Sequence, residues 1–479
     1  MPPWLHIFTL ELAVLGIALL VLLCDALSPL GARALGWLTA IGLVAVLVAS
    51  FAVELAGSAP HGVYVSGAWV LYFQRLFLCA GILGVLGSID WLETRVARRP
   101  AEYLVLLLAS LVGMMLLAGV RDWVLLVVAF ELMGIPLYVL CAYAKLDGPA
   151  REPKLAAEAG LKLFVTGAAS TALTLFGLAL VVGASGSSSL DGPQSANVSA
   201  LTGVGMLLVL AGFGFKIGAA PFHMWIPDTY QGAPTPFVAF LSVAPKAGGL
   251  AALVVVLLSG WSRQHELWAP ALAVIAAASM AVGNLFALPQ KDARRLLGYS
   301  GIAQMGYVLV ALCARSEQGI AMAIFFIASY VFTNFGVFLV VHAAAENSGG
   351  HSLDEIAGLS RRSPWLGAAL LVFVLSLAGI PFAVGFWAKL FVLLAAYQAG
   401  LVWLVVTGVV LSVVALFYYL SVARSTFMAD GRSAEPVRSG LPLRAAIVLC
   451  LAAVVGLGLW PGPLLAEATR AASAFAGGP

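Results

Sequence analysis

Residues 211–236 read AGFGFKIGAAPFHMWIPDTYQGAPTP. The stretch opens as an apolar helix, carries a lone cation at Lys216, and is then broken by glycine and proline around Pro221. Proline removes a backbone donor and glycine loosens the ladder, so the helix is expected to unwind near its middle. A second stretch, LAGIPFAVGFWAKLF at 377–391, repeats the arrangement with Pro381 and Lys389. Pro-Phe followed by tryptophan in both (Pro221, Phe222, Trp225; Pro381, Phe382, Trp387) suggests corresponding positions in two halves. Paired broken helices point to an inverted-repeat transporter with a path at the membrane midplane. Proline kinks alone are common in membrane helices, so the lysines give the breaks their weight.

Around these stretches the chain is apolar almost throughout. Hydrophobic residues make up 62% of it and charged residues 10%, against about 45–50% and about 25% in an ordinary soluble domain. The spacing predicts fourteen spans, about 4–26, 34–56, 71–91, 102–119, 122–143, 156–182, 201–226, 235–259, 267–288, 297–314, 318–344, 365–398, 401–427 and 441–461. Each is long enough for a hydrocarbon core of about 30 Å. The alternating strands of a barrel are absent, so the spans read as helices. No soluble domain fits between them, and a net charge of +3 is too scattered to suggest nucleic-acid binding. The five cysteines stand apart with no Cys-x-x-Cys pair, which indicates neither a disulfide framework nor an iron–sulfur site. No basic residue precedes the first apolar run, so no cleaved signal peptide is expected.

Loop cations set the orientation. Loops after odd-numbered spans hold sixteen: Arg33, Arg95, Arg98, Arg99, Lys145, Arg151, Lys154, Lys291, Arg294, Arg295, Arg361, Arg362, Arg424, Arg432, Arg438 and Arg444. The opposite loops hold Arg121, Arg263, Arg315 and Arg470. The bias places the odd-to-even loops in the cytoplasm and both termini outside.

The remaining charges carry the chemistry. Lys162, Lys216, Lys246 and Lys389 fall inside spans six, seven, eight and twelve, and Glu131 inside span five. Glu158 stands one turn before Lys162. An ionisable group at that depth costs at least about 2.5–3.5 kcal/mol. Buried ion pairs that merely tie helices together are one explanation. A proton or ion path accounts better for so many lysines on separate helices, because a carboxylate that moves changes how tightly a nearby ammonium holds its proton. His223, just past the first break, is as well suited to relaying protons as to capping exposed carbonyls. His342 reads as a packed or interfacial residue. Gly212-Phe213-Gly214 follows no strand and suits close helix packing rather than dinucleotide binding.

Several segments resemble subunit N of bacterial NADH:quinone oxidoreductase (complex I). They are FELMGIPLYVLCAY (130–143), EAGLKLF (158–164), 212–253, NLFALPQKDARRLLGYSGIAQMGY (284–307), LDEIAGLSRRSP (353–364) and GIPFAVGFWAKLF (379–391). The resemblance implies an all-α membrane protein of about fourteen helices with two inverted five-helix repeats and two broken helices. Its parts would be a three-helix segment (1–100), a first repeat (101–260), a second repeat (265–428), and a last helix with its tail (438–479). It makes Glu131 and Lys216 a pair, Lys246 the central lysine, Lys389 the terminal one and Lys162 the partner of Glu158. Subunit M resembles the same pattern but has glutamate where Lys389 stands, and subunit L extends into a lateral helix.

Such a chain would be a non-redox translocase subunit of the bacterial cytoplasmic membrane, with no cofactor or metal of its own. NADH, FMN, iron–sulfur clusters and quinone would belong to partner subunits. Its partners would be other membrane-arm subunits, especially the antiporter-like subunit M and small membrane subunits. The alternatives are a Mrp-type cation/proton antiporter subunit or a membrane-bound hydrogenase subunit, which share the fold and the buried charges.

Overall fold

The computed structural model describes residues 3–28, 30–53, 56–96, 99–146, 152–191, 199–431 and 435–476. Arg98, Arg151 and Arg432 lie outside these. The helices are α1 (Thr9–Leu27), α2 (Ala32–Ala49), α3 (Ala68–Arg95), α4 (Pro100–Gly119), α5 (Trp123–Cys141), α6 (Glu152–Ser185), α7 (Ala200–Ile217), α8 (Trp225–Gly232), α9 (Thr235–Leu241), α10 (Ala244–Val255), α11 (His265–Ala287), α12 (Ala293–Cys313), α13 (Glu317–Ser348), α14 (Leu359–Arg362), α15 (Pro364–Ala378), α16 (Val384–Gln398), α17 (Val402–Met428), α18 (Leu441–Leu459) and α19 (Gly462–Ala476). The described strands are one short hairpin, β1 (Gly57–Ser58) against β2 (Val65–Ser66).

Among the described residues, thirteen apolar helical segments are long enough to cross a bilayer. The fourteenth crossing is shared by α15 and α16, of 15 residues each, which meet at a break. Both expected breaks are present. α7 ends at Gly218 (φ 74°) and α15 at Gly379 (φ 86°), each glycine turning left-handed so that its own amide closes the last turn. Pro-Phe follows in both, and the chain re-enters a helix at Trp225 or Val384. A third interruption splits the eighth span at Ser242–Val243, where Pro245 in the first turn of α10 cannot donate back to α9. The last residues, read from sequence only as a tail, form α19. It packs on α3 and α13, with Phe475 beside Trp69 (4.8 Å between rings) and the Arg121 guanidinium.

Two loops are built alike at the starts of α5 and α12. Asp122 caps α5 by accepting from Val124 and Leu125, and Asp292 caps α12 by accepting from Arg294 and Arg295. The amide after each aspartate donates to a later loop, Trp123 to Ser188 O and Ala293 to His351 O. In return Leu190 donates to Arg121 O, and Leu353 to Lys291 O. The same clasp therefore joins the start of α5 to the loop after α6 and the start of α12 to the loop after α13, a likeness between two parts of the chain.

The packing sorts the helices. The membrane-crossing windows of α12 and α13 are 94% buried, whereas those of α6 and α17 are 33% buried and leave their apolar faces outward. Close approach relies on glycine. A Cβ at Gly113 would stand 2.4 Å from the Met133 amide on α5, one at Gly283 2.4 Å from the Ala303 amide on α12, and one at Gly212 would collide with Thr174 on α6.

Candidate functional site

Three lysines are buried in the interior, each beside a helix break. Lys216 sits in the last turn of α7, two residues before Gly218, and its Nζ lies 3.9 Å from Glu131 Oε1 on α5. That is too long for a hydrogen bond, so the two charges form a loose pair. The same Glu131 oxygen accepts from Thr171 on α6 at 2.7 Å. The aromatic faces of Phe130 and Phe215 lie 5.4 and 6.0 Å from the ammonium. A cavity of about 30 Å³ opens beside it, lined by Gly134, Tyr138, Lys216, Trp225 and Pro245, which is room for water.

Lys246 is fully enclosed in the first turn of α10, directly after the third break. Its ammonium lies 5.9 Å from the rings of both Tyr230 and Tyr330 and meets no hydrogen-bond acceptor among the described residues. The left-handed Gly218 lies beside its stem and packs closely on Ile226, whose Cδ1 a Cβ there would strike. Lys389, on α16, reaches back across the second break. Its Nζ donates to Ala378 O, the last carbonyl of α15, at 3.1 Å and lies 5.0 Å from the Tyr307 ring.

Lys162 differs from the expectation. Its side chain is 42% exposed, and it bonds at 2.7 Å to both Glu158 Oε1 and Asp228 Oδ2. Asp228, on α8, also receives Arg295 from the first turn of α12. α6 has 34 residues, more than the about 20 that cross a bilayer. His223 lies half-buried in the first break, and His342 is buried in α13. Among the described residues no three His, Cys, Asp or Glu side chains converge where a metal could sit.

Sequence reasoning missed the residues around the lysines: Thr171, Tyr307, Tyr330, Asp228 and the carbonyl of Ala378. Threonine and tyrosine are ordinary in apolar helices, and a backbone carbonyl has no letter. Asp228 alone left a signal, a lone acid in the opening stretch.

Known proteins place the chain in a family. Residues 120–415 match the family model described as NADH:quinone oxidoreductase/Mrp antiporter, TM. The NADH-quinone oxidoreductase subunit N of Moorella thermoacetica is 36% identical, over 98% of this chain and 99% of its own length. That of Desulfitobacterium hafniense is 37% identical over 97% of each. Among solved structures, a chain of respiratory complex I from Thermus thermophilus superposes with a TM-score of 0.81 at 33% identity, covering 96% of this chain and 99% of that one. A chain of the Mrp complex from Dietzia superposes at 0.86 with 19% identity, covering 99% and 98%, which is a likeness of fold. The chain belongs to the NADH:quinone oxidoreductase/Mrp antiporter transmembrane family, on its subunit N branch.

Proposed function

We propose that this chain, a proton-translocating membrane-arm subunit, moves protons along Glu131, Lys216, Lys246 and Lys389 without any redox step of its own. The observation that supports this is the burial of three lysines beside helix breaks, none hydrogen-bonded to a carboxylate. An ammonium enclosed in this way is costly as a structural device, but it suits a group that gains and loses a proton. The carboxylate of Glu131 at 3.9 Å is close enough to bias Lys216 and loose enough to leave it. His223 supports the path at the first break. Lys162, with Glu158 and Asp228, acts at its rim by holding α6, α8 and α12 together.

Electron transfer and its cofactors, namely NADH, FMN, iron–sulfur clusters and quinone, belong to partner subunits in this reading. Energy released there shifts the Glu131/Lys216 pair and passes a charge towards Lys389. The antiporter-like subunit M and small membrane subunits are its neighbours in a bacterial cytoplasmic membrane, with both termini periplasmic. The repeats correspond to 101–260 and 265–428, between the segments 1–100 and 438–479. Identity of 36–37% to subunit N chains, against 19% to the Mrp chain, favours this reading over an Mrp-type antiporter.

The deciding experiment replaces Lys216 in the whole complex. Lys216→Ala removes the carrier, and Lys216→Arg keeps a charge that cannot be lost at working pH. Both variants are expected to assemble and to impair proton uptake per NADH oxidised in vesicles, arginine no less than alanine. Assembly with unmodified rate and stoichiometry for Lys216→Ala would make the residue structural and end this mechanism.

A further inference from the structure

Lys246 and Lys389 are held by different helices, and Tyr330 on α13 stands between their surroundings. The residue is 3% exposed, and its hydroxyl has no hydrogen-bond partner among the described residues. One side of it faces Lys246 across Gly301 of α12. A Cβ at Gly301 would stand 2.7 Å from the Tyr330 hydroxyl and 2.8 Å from Lys246 Nζ, so the two atoms lie within those lengths laid end to end. Only glycine leaves that approach open. The flexible lysine stem can close the remaining gap.

The other side of Tyr330 lines a cavity of about 10 Å³ shared with Gln304, Ser329, Thr333, Ser376 and Ala388, close to the volume of one water. The far wall of this cavity is the second helix break. Gln304 donates to Leu377 O at 3.0 Å, and Ser376 Oγ accepts from the Gly385 amide at 3.1 Å. Ala388 adjoins Lys389, whose ammonium holds the next carbonyl, Ala378 O. Tyr330 thus belongs to both environments. A buried hydroxyl without a partner is unfavourable, and phenylalanine would fill the same space without that cost.

Building on the proton path above, we propose that the Tyr330 hydroxyl is the proton-transfer group between Lys246 and the cavity before Lys389. Lys246 gives a proton to the phenol oxygen as the O–H bond of the phenol breaks and its own proton passes through a water in the cavity to the neutral amine of Lys389. Lys246 is left as a neutral amine and Tyr330 as a neutral phenol, with one proton advanced and no electron moved.

The test compares Tyr330→Phe, Tyr330→His, Gly301→Ala and Lys246→Ala in the whole complex, with subunit content as the check on assembly. The rate of NADH-driven proton uptake is the readout. Tyr330→Phe is expected to lower it by about a hundredfold or more, the lower end of what a positioned proton-transfer group contributes. Tyr330→His is expected to recover part of the loss, because imidazole both accepts and donates. Parental uptake in Tyr330→Phe overturns the proposal, and so does a histidine variant as poor as phenylalanine, since the hydroxyl would then be structural. If Tyr330→Phe does not assemble, Gly301→Ala decides: its methyl blocks the approach, and parental uptake overturns the proposal. Parental uptake in Lys246→Ala refutes the lysine path itself, whereas loss there with an active Tyr330→Phe refutes only the relay.

Discussion

Gly218 and Gly379 each place a left-handed residue where a helix stops beside a buried lysine. A Cβ in that conformation costs about 1–2 kcal/mol by itself. At Gly379 it would also stand 2.9 Å from Lys389 Cδ. Gly379→Ala is therefore expected to lower the unfolding temperature of the purified complex and to displace the lysine, reducing proton uptake by more than the loss of assembled complex explains. Unchanged stability together with unchanged uptake would show that the break does not position Lys389. At this scale the sequence was legible where chemistry is rare in its setting. Lys216, Lys246 and Lys389 are conspicuous because an ammonium in an apolar run is expensive. Lys162 looked the same in sequence, although its side chain is 42% exposed and paired with Glu158 and Asp228. Tyr330 and Thr171 raised no flag, since their side chains are inexpensive in any apolar helix.

The breaks in the helices carrying Lys216 and Lys389 could be read from glycine and proline together. The break before Lys246 could not, because no glycine precedes Pro245 within its apolar run, and a proline in the first turn also begins uninterrupted helices. The loop clasps escaped notice as well. Arg121-Asp122 and Lys291-Asp292 are unremarkable dipeptides until their partners at Leu190 and Leu353 are seen. The second clasp supports a pH prediction. His351 bonds to Thr235 at 2.9 Å, and burial, followed by the neighbouring Arg294 and His342, holds its pKa well below the ordinary 6.5. The unfolded imidazole takes up a proton below that value and the folded one does not, so stability present above about pH 6.5 falls as the pH drops through it. His351→Gln is expected to flatten this part of the profile. Thermal unfolding of both proteins near neutral pH and about one to two units lower checks it, and parallel profiles would discount His351. Asp228, shared by Lys162 and Arg295, gives a second prediction for these elements. Its carboxylate is 36% exposed, so the pairing is worth only about 1 kcal/mol after screening. Asp228→Arg should loosen α8 from α12, and the exchange Asp228→Arg with Arg295→Asp should recover part of the loss. A double variant no better than the single one would show that the contact is incidental.

Across the whole molecule, fourteen crossings were countable because each apolar run is bounded by charge or by glycine and serine, and because loop cations alternate. The same alternation predicts that a cysteine in 345–363 and one at the C-terminus react with impermeant reagent from opposite faces of the membrane. Labelling both from one face would refute the crossings counted between them. The direction of transport was not legible, since it depends on how the ends of the lysine row are held. Glu131, the counter-charge beside Lys216, is itself a titratable acid, so a proton can cancel it. Lys389 is held instead by Ala378 O at the open end of α15, where the aligned peptide dipoles of a half-helix terminate. No change of pH neutralises a peptide carbonyl. The acceptor that holds Lys389 stays an acceptor at every pH, so one end of the row faces a carboxylate that a proton can neutralise and the other a fixed peptide dipole.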